Sequence, residues 1–320
     1  MKKNRSGGKK NMKIGLALGS GGARGWAHIG VLRALAESDI PVHCIGGTSM
    51  GALVGSLFAA GKLDALEQAA LKLDWKQLLF FFDAVFPHSG LIDGAKVAGF
   101  IRDQVESTEI SDLSIPFSAV ATNLIKGQQV ILKEGDLIEA IRATISIPGI
   151  FTPLKIGDDL LVDGALVNPV PVDVVRDMGA DYVVAVEVNY LSLEHGARSY
   201  VLSEPLPSPE KRKKKKSTAE KPAFLANLEA LRKSRSKLIK RWEKREVLPN
   251  IFEVLTISLT VMEVQITERN LELFPPDLLI RPEVGDIGFL EFDRAQEAIN
   301  KGYESVMEKA GEIKKALKLK

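Results

Sequence analysis

The chain has 320 residues, 45% hydrophobic and 26% charged, a composition that excludes an intrinsically disordered protein and fits an ordinary globular one. Its one cysteine, Cys44, excludes an intrachain disulfide and fits a reducing compartment. The net charge of +2 averages an uneven spread: residues 211–246 hold 15 basic and 4 acidic side chains, residues 1–13 hold six basic and none acidic, and the rest is net −15.

In chain order, residues 1–12 are expected to be a basic disordered tail without the apolar stretch of a secretory signal. Residues 13–18 read as a buried strand running into Gly19-Ser20-Gly21-Gly22. Residues 26–38 carry Ile29, Leu32 and Leu35 at helical spacing. Residues 42–45 are a second strand, followed by a glycine turn and a small, apolar helix over 52–60. This βαβα order predicts a mostly parallel sheet covered by helices.

Further along, 66–73 and 95–105 read as helices and 78–82 as a dense apolar run. Residues 117–121 and 128–132 read as paired strands. Residues 137–144 read as a helix with Asp136 as N-cap. A short strand, 160–162, leads into Asp163-Gly164-Ala165; a helix over 172–178 and a β-branched strand over 182–188 follow. Residues 194–222, rich in Ser, Pro and Lys, read as a flexible basic insertion. Residues 224–242 are amphipathic and 251–271 a more apolar helix; 278–280 is the last strand and 294–317 one closing helix. Core segments resume after the insertion, so residues 13–320 are expected to form a single domain. No window reaches the roughly 18 uninterrupted apolar residues of a membrane span; the closest, 251–262, is broken by Glu253. A cytoplasmic location is expected, with membrane contact limited to the periphery.

Three motifs carry possible chemistry. Gly47-Thr48-Ser49-Met50-Gly51 matches G-x-S-x-G between a strand and a helix, the setting of a nucleophile elbow. A sharp turn there exposes the serine hydroxyl, and Gly47 and Gly51 leave room where side chains would collide. The Gly19-Ser20-Gly21-Gly22-Ala23-Arg24-Gly25 loop can aim backbone N–H groups at an oxyanion. It competes with a dinucleotide fingerprint, but Arg24 stands where that pattern wants glycine, and Asp39 precedes the second strand rather than closing it. Asp163, with Gly164 after it, can serve as general base if desolvated. Among the histidines, His195 has the chain order of a serine triad but sits in a poorly patterned stretch, and His28 reads as a packing or capping residue. No metal or cofactor site is read from the residues.

The ordered motifs GGARG, GTSMG and DGA together resemble the patatin-like phospholipases. LGSGGARGWAHIGVLRAL and Ser146-Ile147-Pro148-Gly149-Ile150-Phe151 are also similar to segments of bacterial members. The resemblance covers about residues 13–189, and more weakly 249–303; Ser20 stands where glycine is frequent, and the run 211–216 has no counterpart. It implies a three-layer α/β/α fold with a mostly parallel central sheet and a Ser–Asp catalytic dyad. Ser49 would be the nucleophile and Asp163 the base. Gly21, Gly22, Ala23, Arg24 and Gly25 would form the oxyanion hole, with Arg24 adding charge or fixing the loop. The implied substrates are acyl esters of lipids, namely phospholipids or lysophospholipids, with no cofactor. An acyltransferase and a non-catalytic adaptor are the alternatives; an adaptor has no need of all three motifs. The basic segment 211–246 suits either peripheral contact with anionic lipid or a solvated loop followed by a helix packed on the body, and nucleic-acid binding less well, since no recognition fold accompanies it.

Overall fold

Five consecutive apolar residues, Ile14–Leu18, form strand β1, every one of them buried. The computed structural model describes residues 12–73, 94–105, 109–190, 192 and 251–317. The expectations for residues 1–11, 78–82, 194–222 and 224–242, and for His195, fall outside these. Contacts divide the chain into two compact units, one of 1–196 with 255–320 and one of 197–254. Apart from 251–254, everything described belongs to the first.

β1 pairs in parallel with β2 (Cys44–Thr48) on one side and β7 (Tyr182–Val186) on the other. β2 pairs in parallel with β3 (Phe117–Asn123), and β7 with β8 (Leu278–Ile280). β4 (Gln128–Leu132), β5 (Leu154–Ile156) and β6 (Asp159–Asp163) complete an eight-stranded sheet through antiparallel pairs. The order is β5-β6-β3-β2-β1-β7-β8, with β4 on β3.

Strand alternation gives the sheet two apolar faces. Leu16, Leu18, Val184 and Val186 point into a large core with helices α1 (Ala27–Glu37) and α2 (Met50–Ala59). Ala17, Val183 and Ala185 point the other way, onto Val172 and Val175 of a short helix, Val172–Asp177. The result is a mostly parallel sheet between two helical layers.

Most elements fall where sequence periodicity puts them, and the helix Leu137–Thr144 begins with Asp136 accepting from the Glu139 N–H at 2.9 Å. Three differ. The second strand runs on through Gly46, Gly47 and Thr48, because those glycines, which sequence propensity assigns to a turn, pack closely under Val175 and Ala52. A strand at Leu154–Ile156 pairs with β6, a tertiary contact that three residues cannot announce. The closing helix is broken into Ala295–Met307 and Ala310–Leu317, preceded by a 3-10 turn at Phe292–Arg294.

Candidate active site

The register of β3 brings two distant residues together. Its first half pairs with β2 through Val120 opposite Thr48, and its second half pairs with β6 through Ala121 opposite Asp163. β4 occupies the other edge over Ala119–Asn123, so β2 and β6 share one edge and meet end to end. The chain leaves β2 at Ser49 and leaves β6 at Asp163. Ser49 Oγ donates to Asp163 Oδ2 at 2.6 Å.

Ser49 has φ 55° and ψ −123°, a region that a non-glycine residue occupies only under constraint. It stands at the N-terminus of α2 without capping it, since its hydroxyl is turned to Asp163. Its N–H donates to Thr144 Oγ1 at 2.9 Å, and Thr144 Oγ1 in turn donates to the Val120 carbonyl. These bonds anchor the bend to the strand that sets the register. A Cβ on Gly51 would strike the Leu18 carbonyl, and one on Gly47 would lie 2.5 Å from Ala52 Cα. The Gly51→Ala substitution should therefore cost about 1–3 kcal/mol of stability, by forcing α2 away from β1. Its urea midpoint should fall; an unchanged midpoint would mean that α2 can give way freely.

Asp163 is buried, at 3% exposure. Its Oδ1 accepts the Ala165 N–H at 2.8 Å, its N–H donates to Ser146 O at 2.9 Å, and its carbonyl accepts from Thr122 Oγ1 at 2.8 Å. Burial pushes its carboxyl up to about 7, partly offset by the bonds from Ser49 and Ala165. A carboxyl so placed can accept and return a proton near neutrality.

The glycine loop lies beside the bend, with Gly25 packed on Met50. Gly22 has φ +55°, which favours glycine, and a Cβ there would lie 2.5 Å from the Phe289 carbonyl. The five loop residues are not equivalent donors. Ala23 N–H already donates to Phe289 O at 2.9 Å. Arg24 and Gly25 lie inside the 3-10 turn Gly22–Trp26. The Gly21 and Gly22 N–H groups have no acceptor among the described residues. Arg24 donates through Nε to Ile287 O and through Nη1 to Asn189 Oδ1, each at 2.8 Å. Burial lowers its guanidinium to about 10, against the pull of Glu263 and Glu291, so it stays charged at neutral pH.

No histidine among the described residues bonds to Ser49 or Asp163. His43 Nδ1 accepts from the Ile14 N–H. His28 is buried, with Nε2 2.7 Å from Gly19 O, and burial lowers it to about 4 despite that bond. It is a neutral tether for the start of the loop. Among the described residues, no group of three His, Cys, Asp or Glu side chains is placed to hold a metal ion.

Thr144, Ser146, Asn189 and Glu263 are site residues that motif reading missed. Ser146 falls within the segment 146–151 that is similar to bacterial members, and Asn189 lies just beyond the last residue of the strand read over 182–188. Glu263 does leave a sequence trace: Thr256, Thr260, Glu263 and Thr267 repeat at helical spacing inside an apolar stretch, and all four are buried.

The patatin-like phospholipase family model matches residues 16–176, half the chain, which include Ser49, Asp163 and the glycine loop. The chain belongs to the patatin-like phospholipase family. An uncharacterized NTE family protein of Mycobacterium tuberculosis is 41% identical over 182 residues, 57% of this chain and 51% of that protein. Neuropathy target esterase sws of Drosophila melanogaster is 36% identical over 181 residues, 55% of this chain and 13% of that protein. Patatin-like phospholipase domain-containing protein 7 of Mus musculus is 36% identical over 182 residues, with the same two shares. The chain thus spans about half the length of the mycobacterial relative and a much smaller part of the animal ones.

Proposed function

We propose that this patatin-like protein hydrolyses carboxylic esters of phospholipids or lysophospholipids through Ser49 and Asp163. The observation that carries the reading is the 2.6 Å bond from the Ser49 hydroxyl, held in a strained bend at the start of α2, to a buried carboxyl. The names of the relatives, a neuropathy target esterase and a patatin-like phospholipase domain-containing protein, support the lipid-ester class.

The steps follow from the atoms. Asp163 takes the Ser49 proton as Oγ attacks the ester carbonyl. The oxyanion is held by the Gly21 and Gly22 N–H groups and by the unpaired N–H groups at the start of α2. Asp163 returns the proton to the departing alcohol, leaving Ser49 acylated. It then deprotonates a water that attacks the acyl group, and the fatty acid leaves as Ser49 recovers its proton. In this reading residues 13–320 form one domain carrying a basic insertion, and 211–246 make peripheral contact with anionic lipid.

Because the base must be ionised, kcat/KM should rise about tenfold per pH unit on the acid side and level off near pH 7. A midpoint near 4, the ordinary carboxylate range, would remove Asp163 as the group that titrates. A panel of short p-nitrophenyl esters, lysophospholipids and diacyl phospholipids tests the substrate class. Release of free fatty acid, absent in Ser49→Ala, is expected. Acyl transfer to added alcohol in place of acid release would favour a transferase, and no turnover of any ester would favour an adaptor.

A further inference from the structure

The helix Ile251–Leu273 mixes polar and apolar residues on its buried side, where Leu259 and Val264 are also buried. Thr256, Thr260, Glu263 and Thr267 are buried, while Ile257, Val261 and Met262 are exposed. A lone carboxyl kept on the buried side at 6% exposure calls for a reason, because burying it costs free energy unless it is bonded. Its bonds lead to the glycine loop. Glu263 Oε2 accepts from Ser20 Oγ at 3.2 Å and from Asn189 Nδ2 at 2.7 Å. Asn189 Oδ1 accepts from Arg24 Nη1 at 2.8 Å. Asn189 is itself held by Ser192, whose N–H and Oγ both donate to its carbonyl. One carboxyl therefore ties down both Ser20 and Arg24, the residues on either side of Gly21-Gly22-Ala23. Glu263 lies outside residues 16–176, so the family match does not assign it.

Two charged groups act on it, Arg24 from the loop and Asp163 from the end of β6, while Ser20 and Asn189 are neutral. We propose that Glu263 is a positioning residue that braces the oxyanion loop as a neutral carboxyl, and that a negative charge on it disables the site. With Oε2 accepting both bonds, Oε1 is the oxygen left to carry the proton of the neutral form. A negative charge there would face Asp163 and oppose the oxyanion that forms at Ser49. Burial, with Asp163 adding to it, pushes the Glu263 carboxyl up to about 8 against the bonds from Ser20 and Asn189 and the charge of Arg24. The neutral form is thus the one present at pH 7. The proposal rests on the ester-hydrolase reading, and predicts an alkaline fall in activity near pH 8 that Asp163 alone does not produce.

The test compares wild type, Glu263→Gln and Glu263→Ala for kcat and KM from pH 6 to 9.5, with circular dichroism at each pH. Wild type should lose about tenfold or more of its kcat between its optimum and pH 9.5. Glu263→Gln, which keeps an uncharged acceptor, should stay within about threefold of wild type at pH 7 and lose the alkaline fall. Glu263→Ala should drop kcat at pH 7 by about tenfold or more with KM little changed, as expected of a group that supports the transition state alone. An alkaline fall that persists unchanged in Glu263→Gln overturns the proposal, as does wild-type kcat in a folded Glu263→Ala. If Glu263→Ala does not fold, the Glu263→Gln profile decides alone. Ester turnover that survives in Ser49→Ala, or is missing from wild type, instead removes the underlying hydrolase reading.

Discussion

Ser49→Ala should lose ester hydrolysis by about 10⁵-fold in kcat, with the fold intact. The Ser49 hydroxyl is the group bonded to Asp163 and placed to form the acyl intermediate, which a methyl group cannot do. The backbone bend does not depend on Oγ, since Thr144 holds it through the Ser49 N–H. The variant should therefore keep its circular dichroism spectrum and melt within a few degrees of wild type, having lost one hydrogen bond worth about 1 kcal/mol. Retention of more than a tenth of the wild-type kcat would take Ser49 out of the mechanism.

Asp163→Asn should cost about 10³-fold in kcat and yet make the protein more stable at pH 8. The activity is lost because an amide cannot accept the Ser49 proton. The stability change has a definite sign. The folded Asp163 carboxyl is raised to about 7 from an ordinary 3.8, so the folded state binds this proton more tightly than the unfolded state does. The stabilisation from that proton is complete below about pH 4 and is lost as pH rises through 7. Above that, wild type holds a buried, ionised carboxylate, whereas the Asp163→Asn variant holds a neutral amide. Its Tm should then exceed that of wild type by on the order of 3 °C at pH 8, with the advantage gone at pH 4. A lower Tm at pH 8 would mean that a positive charge stabilises the carboxylate, contrary to its surroundings.

The strand-to-helix bend at Ser49 and the turn at Asp163 are marked in the sequence by local patterns. Gly47 and Gly51 flank Ser49 at the spacing a tight strand-to-helix bend needs, and Gly164 lets the chain turn at Asp163. What the sequence does not contain is the register of β3, which alone sets Thr48 and Asp163 opposite adjacent residues, Val120 and Ala121. The loop donors were legible only as a group. That Ala23 is engaged by Phe289, while Gly21 and Gly22 are not, depends on a contact 266 residues along the chain. Strand boundaries failed where packing overrides propensity, as with Gly46 and Gly47 inside β2. Glu263 escaped because a single acid in an apolar helix reads as a surface residue until its threonine neighbours are placed on the same buried face.

The most direct test of the Ser49–Asp163 reading is to treat the full chain with a fluorophosphonate probe and locate the adduct by peptide mass spectrometry. One adduct per chain is expected, on the peptide that contains Ser49. It should form about 20-fold faster at pH 7.5 than at pH 5.5, be lost in Ser49→Ala, and be strongly slowed in Asp163→Asn. An adduct on another residue, or equal labelling of Ser49→Ala, would contradict the account.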